Sequence, residues 1–244
     1  MTATTLTENT EQRVYKENDP DMPAELRDLL RRVMSKHLEN VTNPHYDRLM
    51  IQLWDRCMTL APSPESKRLL SKLMQQEVEH GVITANILKG LGVDKVDVPI
   101  DQYLFDLPID TWCDLCYFHA LGDRVGMYVG ENWGDVPYEP LRAVAPRLHR
   151  DEVFHATLGY QNLTAHCQTR EGLAEAQRLI GKWWPAALDM FGTSESHFSE
   201  KYVRWGIRRA GNAQLRQQYI ADTRPMLEKI GIVVPEDSAN RRYL

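Results

Sequence analysis

Apolar residues recur every three or four positions along most of the chain, the spacing that places side chains on one face of a helix. The pattern predicts four long helices, at about residues 44–60, 64–88, 111–133 and 140–167. Shorter helical segments are predicted at 22–41, 170–191, 199–211 and 212–231. Turns rich in proline or glycine, such as "APSPES", separate these segments. No segment predicts a strand, so the expected fold class is all-α, a bundle with additional C-terminal helices.

Composition along the chain predicts one domain with two short polar ends. Residues 1–20 are rich in Thr, Glu and Asn and predict a flexible N-terminal arm. Residues 21–234 are expected to form the helical domain, and residues 235–244 a short C-terminal tail. With 244 residues, the chain can bury a large core.

Overall composition excludes several classes of function. The net charge of -5 gives no basic surface for nucleic acid or for an anionic membrane. No apolar run reaches the roughly 18 residues that a membrane span needs, and the N-terminal segment lacks the apolar centre of a signal peptide. Four cysteines in a chain of this length are not a disulfide framework, so the expected location is the reducing cytoplasm.

Two predicted helices carry the same motif, Glu-x-x-His, on an apolar stripe. Glu77 and His80 share a helix face with leucines, and Glu152 and His155 repeat the arrangement. A single copy is weak evidence, because exposed helix surfaces contain many such pairs. Two copies on apolar faces indicate a buried site, since an uncompensated buried carboxylate costs several kcal/mol.

Two aspartates lie at matching distances from the turns of the predicted helical hairpins. Counting back from Glu77 through Pro62 by equal steps reaches Asp47, fifteen residues away on either side. Reflecting Glu152 through the turn near Pro137 reaches Asp123. At about 1.5 Å per residue, both pairs lie about 22 Å from their turns.

The chain thus contains a repeated half-site of one aspartate followed by Glu-x-x-His. Four carboxylates and two imidazoles in a bundle core match the two-metal site of ferritin-like proteins. Carboxylate oxygens bridge and neutralise divalent ions, while imidazoles complete each ion and leave positions open for dioxygen. The alternative is a metal-free network of buried hydrogen bonds among the same residues.

Several segments resemble the catalytic oxygenase subunit family of phenylacetyl-CoA monooxygenase (1,2-epoxidase). The resemblance covers roughly residues 40–232 and is carried by "RLMIQLWDRCMTLAPSPESKRLLSKLMQQEVEHG", "RDEVFHATLGYQNL", "KWWPAALDMFG" and "WGIRRAGNAQLRQQYI". It implies a ferritin-like four-helix bundle with additional C-terminal helices. It also implies a di-iron protein that uses O2 to epoxidise the ring of an aromatic acyl-CoA.

The resemblance further implies a set of ligands, cofactors and partners. The metal ligands would be Asp47, Glu77, His80, Asp123, Glu152 and His155. The cofactor would be two iron ions, with manganese as the other candidate metal. The partners would be an NAD(P)H-dependent reductase and a related non-catalytic helical subunit, in a homo- or hetero-oligomer. Asp47 departs from the family, whose first-helix ligand is normally Glu. The tail after "IVVPEDSANRRYL" is also shorter than expected. Both departures indicate a divergent member of the family.

Two other functions compete with this interpretation: a non-catalytic structural partner subunit, and a ferritin-like protein that handles metal or peroxide. Within the oxygenase interpretation, Gly122, Gly126 and Met127 are candidate substrate contacts beside the metals, although close helix packing also explains the glycines. Cys113 and Cys116 form a lone CxxC pair, and no second pair completes a zinc site. Both are therefore interpreted as buried structural cysteines.

Overall fold

The structure is a computed structural model that describes residues 13–37, 43–96 and 102–243. Three long helices form most of the bundle: α2 (Pro44–Leu60), α3 (Pro64–Gly90) and α6 (Glu139–His166). The bundle is completed or covered by shorter helices: α1 (Ala24–Ser35), α4 (Trp112–Tyr117), α5 (Arg124–Gly130), α7 (Arg170–Asp189), α8 (His197–Arg204) and α9 (Asn212–Lys229). The described residues contain no β-strand, which confirms the predicted all-α, ferritin-like bundle.

Local sequence explains where the long helices begin. The side chain of Asn43 accepts a hydrogen bond from the backbone N–H of His45 at the start of α2. Ser63 accepts from Ser66 N–H at the start of α3, and in both helices a proline occupies the first turn. At α4, Thr111 and Asp114 form a reciprocal capping box.

The third predicted helix is not a continuous α-helix. Its middle, Phe118–Asp123, is a π-helix between α4 and α5, and a 3-10 turn, Glu131–Asp135, follows α5. A π-turn adds a residue relative to the α-helical repeat, so it shifts the faces of all residues that follow it. Such turns are frequent at functional sites.

Gly159 lets α6 pass very close to this π-helix. A Cβ built on Gly159 would lie 2.3 Å from the backbone N of Ala120 and 2.6 Å from the carbonyl C of His119. Only glycine fits a backbone approach this close. The contact fixes α6, which carries one Glu-x-x-His motif, against the segment that carries Asp123.

Both ends of the chain contact the bundle where they are described. Residues 1–12 of the predicted arm lie outside the described residues, but Tyr15 N–H donates to the Pro137 carbonyl and Tyr15 O accepts from Glu139 N–H, at 3.1 and 2.8 Å. In the predicted tail, Asp237 accepts from Trp184 Nε1 at 3.1 Å and from Arg224 at 2.6 Å. The domain boundaries themselves stay a prediction.

Buried residues form two hydrophobic clusters. The larger lies between α2, the α4–π–α5 segment and the C-terminal helices, and includes Leu70, Trp183, Trp184 and Tyr219. The smaller packs α1 against one end of α3 and α6. No helix in the described ranges is long and apolar enough to cross a membrane.

Candidate metal centre

The two Glu-x-x-His motifs face each other between α3 and α6. His80 and His155 are fully buried, Glu77 is 8 % exposed, and the two rings lie 5.7 Å apart between centroids. His155 Nδ1 lies 3.0 Å from Glu77 Oε1, and His80 Nδ1 lies 3.7 Å from Glu152 Oε1. Each histidine therefore meets the glutamate of the other helix, and one donor atom each from Glu77, Glu152 and His155 lies within 4.8 Å of the others.

Two polar residues that the sequence patterns do not single out orient the histidine rings. His80 Nε2 lies 3.2 Å from Asp151 Oδ2, and His155 Nε2 lies 3.2 Å from Gln76 Oε1. The amide of Gln76 also donates to Asp151 Oδ1 at 2.8 Å, so its oxygen is left to accept from His155. Gln76 and Asp151 each immediately precede a motif glutamate, and this is the only signal of them in the sequence.

These contacts determine which ring nitrogen faces the carboxylates. A carboxylate and an amide oxygen only accept, so Nε2 is the protonated nitrogen of each neutral ring. Nδ1 then presents its lone pair towards Glu77 or Glu152. An outer acceptor that fixes the tautomer of an inner histidine is the usual arrangement behind a metal-binding imidazole.

Asp123 joins the cluster from the π-helix. It lines a cavity of about 90 Å³ together with Glu77 and Glu152, and its Oδ2 lies 2.7 Å from His119 Nδ1. Burial favours the neutral form of His119, but the charge and hydrogen bond of Asp123, together with Cys57, outweigh it and raise the pKa of His119 to about 10. The His119 ring in turn lies 3.9 Å from Cys57 Sγ, so it supports Asp123 from behind.

Asp47 is not brought to the cluster. Its side chain is exposed, whereas Tyr46, Met50 and Leu53 line the 90 Å³ cavity from α2. Tyr46 Oη donates to the Glu77 carbonyl at 2.9 Å, which holds α2 in this rotation. The number of residues from the turn predicts how far along α2 Asp47 lies, but not the direction in which its side chain points. This explains why Asp47 lies at the expected height but is exposed.

The charge distribution favours a cation at this site. Burial favours the neutral form of His155, yet the carboxylates of Glu77 and Glu152 raise its pKa above the ordinary value. Burial, and more weakly the charge of Glu77, raises the pKa of Asp123. Carboxylate oxygens and imidazole nitrogens are ligands that divalent iron and manganese accept, so the donor set fits the implied metals.

Gly126 on α5 leaves the space that the Glu152 carboxylate occupies. A Cβ there would lie 2.8 Å from Glu152 Oε2 and 3.0 Å from its Cδ. The sequence predicts Gly126 as a substrate contact, and its missing side chain also makes room for this metal-facing carboxylate.

Replacing Gly126 with alanine is expected to displace the Glu152 carboxylate and to weaken metal binding by about tenfold or more. Gly130→Ala is the matched control, because a Cβ there meets only the Trp133 ring at an ordinary 3.8 Å. Titration of both metal-free variants with ferrous iron under argon checks the prediction. Equal affinities in the two variants would contradict it.

A larger cavity of about 410 Å³ adjoins the cluster, and His37, Gly126, Glu152 and Met190 line both spaces. Gly122 lines the smaller cavity, and its role as a substrate contact stays a prediction. Met127 lines neither of the two cavities. It follows the π-helix, whose extra residue shifts its face from the one that a regular helix predicts.

His37, in the wall between the cavities, predicts a specific acid sensitivity. Burial is the main cause that lowers the pKa of His37 to about 4 from an ordinary 6.5. Because the unfolded chain binds this proton first as the pH falls, the free energy of unfolding should decrease between about pH 6.5 and pH 4. Urea unfolding of the metal-free parent and the metal-free His37→Gln variant at a series of pH values checks the prediction. The free energy of unfolding should decrease less in the variant as the pH falls, and parallel decreases would contradict a contribution from His37.

Comparison with known proteins identifies the family of this chain. The helical bundle and its two Glu-x-x-His motifs place the protein among helical-bundle proteins that carry carboxylates and histidines in the core. Residues 47–243 match the family model of the phenylacetic acid catabolic protein, so the chain belongs to that family.

One curated relative is a component of 1,2-phenylacetyl-CoA epoxidase from Escherichia coli (strain K12). It is 26 % identical over 190 residues, which cover 73 % of this chain. The aligned part spans only 62 % of the length of that relative.

Proposed function

We propose that this chain is the oxygenase subunit of a multicomponent monooxygenase that acts on an aromatic acyl-CoA such as phenylacetyl-CoA. The observation that carries the proposal is the facing pair of Glu-x-x-His motifs, from which Glu77, Glu152 and His155 bring donor atoms within 4.8 Å of one another beside a cavity of about 410 Å³. Family membership and the activity named for the relative support ring epoxidation as the reaction.

The metal ligands in this proposal are Glu77, His80, Asp123, Glu152 and His155, with Asp47 as a predicted sixth ligand that α2 would have to rotate to supply. They would hold two iron ions, and manganese is the other metal that the donor set accepts. When bound, the metal pair supplies the binding and reduction of O2. The protein contributes fixed carboxylates and pre-set imidazole tautomers, while Gln76 and Asp151 hold the rings in place.

The larger cavity suits an acyl-CoA. Aromatic side chains of Trp133, Phe191 and Phe198 line it and match the acyl ring, while Arg32 and Arg208 bring positive charge for the phosphates. Arg208 donates to Asn212 Oδ1 at 3.0 Å, and its guanidinium lies 5.0 Å from the centre of the Tyr202 ring. Among the described residues it has no carboxylate at ion-pair distance, so an anionic ligand would compensate its charge.

Gly126 and Glu152 mark where this cavity meets the metal cluster, so the acyl ring would lie there. Val125, Leu148 and Phe191 are buried apolar side chains in the wall of this cavity. A bound substrate would displace water from it, which would strengthen the electrostatic interactions of the carboxylates. One oxygen atom of O2 enters the ring and the other leaves as water, with two electrons supplied by an NAD(P)H-dependent reductase and two protons taken up from solvent. A related non-catalytic helical subunit completes the proposed cytoplasmic complex.

The test is product formation from phenylacetyl-CoA, reductase, NADPH and labelled O2 with iron-loaded protein and the related helical subunit, followed by mass spectrometry. The expected product carries one labelled oxygen and forms only when both reductase and O2 are present. Asp55→Ala, an exposed acid on α2, is the matched control and should retain the parent rate. Glu152→Ala should give no product, and a product at the parent rate in that variant would refute the proposal.

A second function, the non-catalytic partner subunit, is favoured by one observation, the exposure of Asp47. If that function is correct, the chain binds no stoichiometric iron but forms a stable complex with a catalytic relative. Size-exclusion chromatography together with metal analysis separates the two functions.

A further inference from the structure

A second group of potential ligands lies at the other end of α6, away from the metal centre. Cys113 is in the first turn of α4, His166 is the last residue of α6, and Glu175 lies on α7. One donor atom from each lies within 4.8 Å of the other two, and His166 Nε2 is 2.9 Å from Glu175 Oε2. His166 follows His155 by eleven residues, which corresponds to about 16 Å along the helix.

Backbone geometry fixes these three residues relative to one another. The turn from α6 to α7 is held by Thr169, whose side chain accepts from Gly172 N–H. Gly172 passes so close to His166 that a Cβ would lie 2.0 Å from the His166 carbonyl oxygen. On α4, Asp114 accepts from Trp183 Nε1 at 2.9 Å, which ties the helix that carries Cys113 to α7. The arrangement is therefore built into the fold rather than left to flexible side chains.

The chemistry of the group is that of a cation site. The Cys113 thiol is fully buried, whereas the side chains of His166 and Glu175 are 20 % and 23 % exposed and give access from solvent. Burial raises the pKa of Cys113 strongly, and the negative charge of Glu175 and the neighbouring Cys167 add to this, against the opposing charge of Arg178. A divalent cation would reverse that balance, because it turns the nearby carboxylate and thiolate into shared ligands.

We propose that Cys113, His166 and Glu175 bind a divalent cation of the zinc class. One sulfur, one nitrogen and one oxygen ligand suit Zn²⁺, which takes all three donor types in tetrahedral sites. Cys167 follows His166 in the sequence and influences Cys113 electrostatically, so it is the candidate fourth donor, with water as the alternative. Binding displaces the thiol proton, so the affinity increases with pH. Cys113 of the CxxC pair thereby gains partner ligands through the fold, whereas Cys116 is not part of the proposed site.

Cobalt(II) is a suitable probe because a cobalt–thiolate bond adds a near-ultraviolet charge-transfer band. The proposed dinuclear centre contains no cysteine, so cobalt bound there adds none of this absorption. Metal-free full-length protein is titrated with cobalt, alongside the variants Cys113→Ser, Glu175→Gln and His166→Asn. Cys57→Ser is the matched control, since Cys57 is equally buried but lies on α2 beside His119.

The expected result is a thiolate band in the parent and in Cys57→Ser that disappears in Cys113→Ser. Glu175→Gln and His166→Asn should each weaken the affinity read from the band by about tenfold or more. Cobalt binding without the band in the parent, or a band that persists in Cys113→Ser, would overturn the proposal. If Cys113→Ser does not fold, Glu175→Gln and His166→Asn test the proposal. A cobalt affinity equal to that of the parent in both variants would overturn it as well.

Discussion

Glu77→Ala is expected to weaken iron binding by at least about a hundredfold and to abolish oxygenation of the acyl-CoA. Glu77 is buried, its Oε1 lies 3.0 Å from His155 Nδ1, and it lines the same small cavity as Asp123 and Glu152. Its removal would take away an acidic ligand from the middle of the cluster. Ferrous iron titration under argon and a product assay measure the two effects.

Asp47→Ala is the informative companion to this variant. Helix spacing predicts Asp47 as a ligand, but its side chain is exposed, whereas Tyr46 and Met50 line the small cavity from α2. The geometry therefore predicts iron loading equal to that of the parent. Parent loading in Glu77→Ala would contradict the proposed ligand set. A large loss of iron in Asp47→Ala would instead mean that α2 rotates and that Asp47 is the sixth ligand.

Gly159→Ala is expected to lower the free energy of unfolding by about 1–3 kcal/mol, or more if the π-helix cannot move. The added methyl group would overlap the backbone of His119 and Ala120, at distances from 2.3 Å upwards. Separating α6 from the π-helix would also move Asp123 away from Glu152. Urea unfolding of metal-free protein, monitored by circular dichroism, measures the effect.

Gly181→Ala is the control for this prediction. Gly181 lies within α7, and a Cβ built there meets no atom within 4 Å. Alanine should therefore stabilise the helix by up to about 1 kcal/mol. If both variants changed stability in the same direction, the close approach at Gly159 would not be what constrains that position.

The sequence predicts the fold and half of the site because helical periodicity is a local property. The bounds of α2 agree with the prediction at both ends, since Asn43, Pro44 and the turn after Leu60 mark them directly. Glu77 and His80 face inward because they share a face with buried leucines, and the same reasoning holds for Glu152 and His155.

The remaining features depend on contacts between helices, which a single sequence does not encode locally. The rotation of α2 that exposes Asp47 depends on the contact of Tyr46 with Glu77. The π-helix that carries Asp123 depends on the approach of Gly159. In the sequence Gln76 and Asp151 are ordinary polar helix residues, and only the pairing of α3 with α6 places each beside the histidine of the opposite helix.

The most direct test of the proposed metal centre is the iron content of the parent protein after anaerobic loading and removal of excess metal, combined with Mössbauer spectroscopy. The proposed ligand set predicts about two irons per chain and, after exposure to O2, the signature of a magnetically coupled pair. No retained iron, or a single uncoupled ion in the parent protein, would contradict a dinuclear centre between α3, α6 and the π-helix.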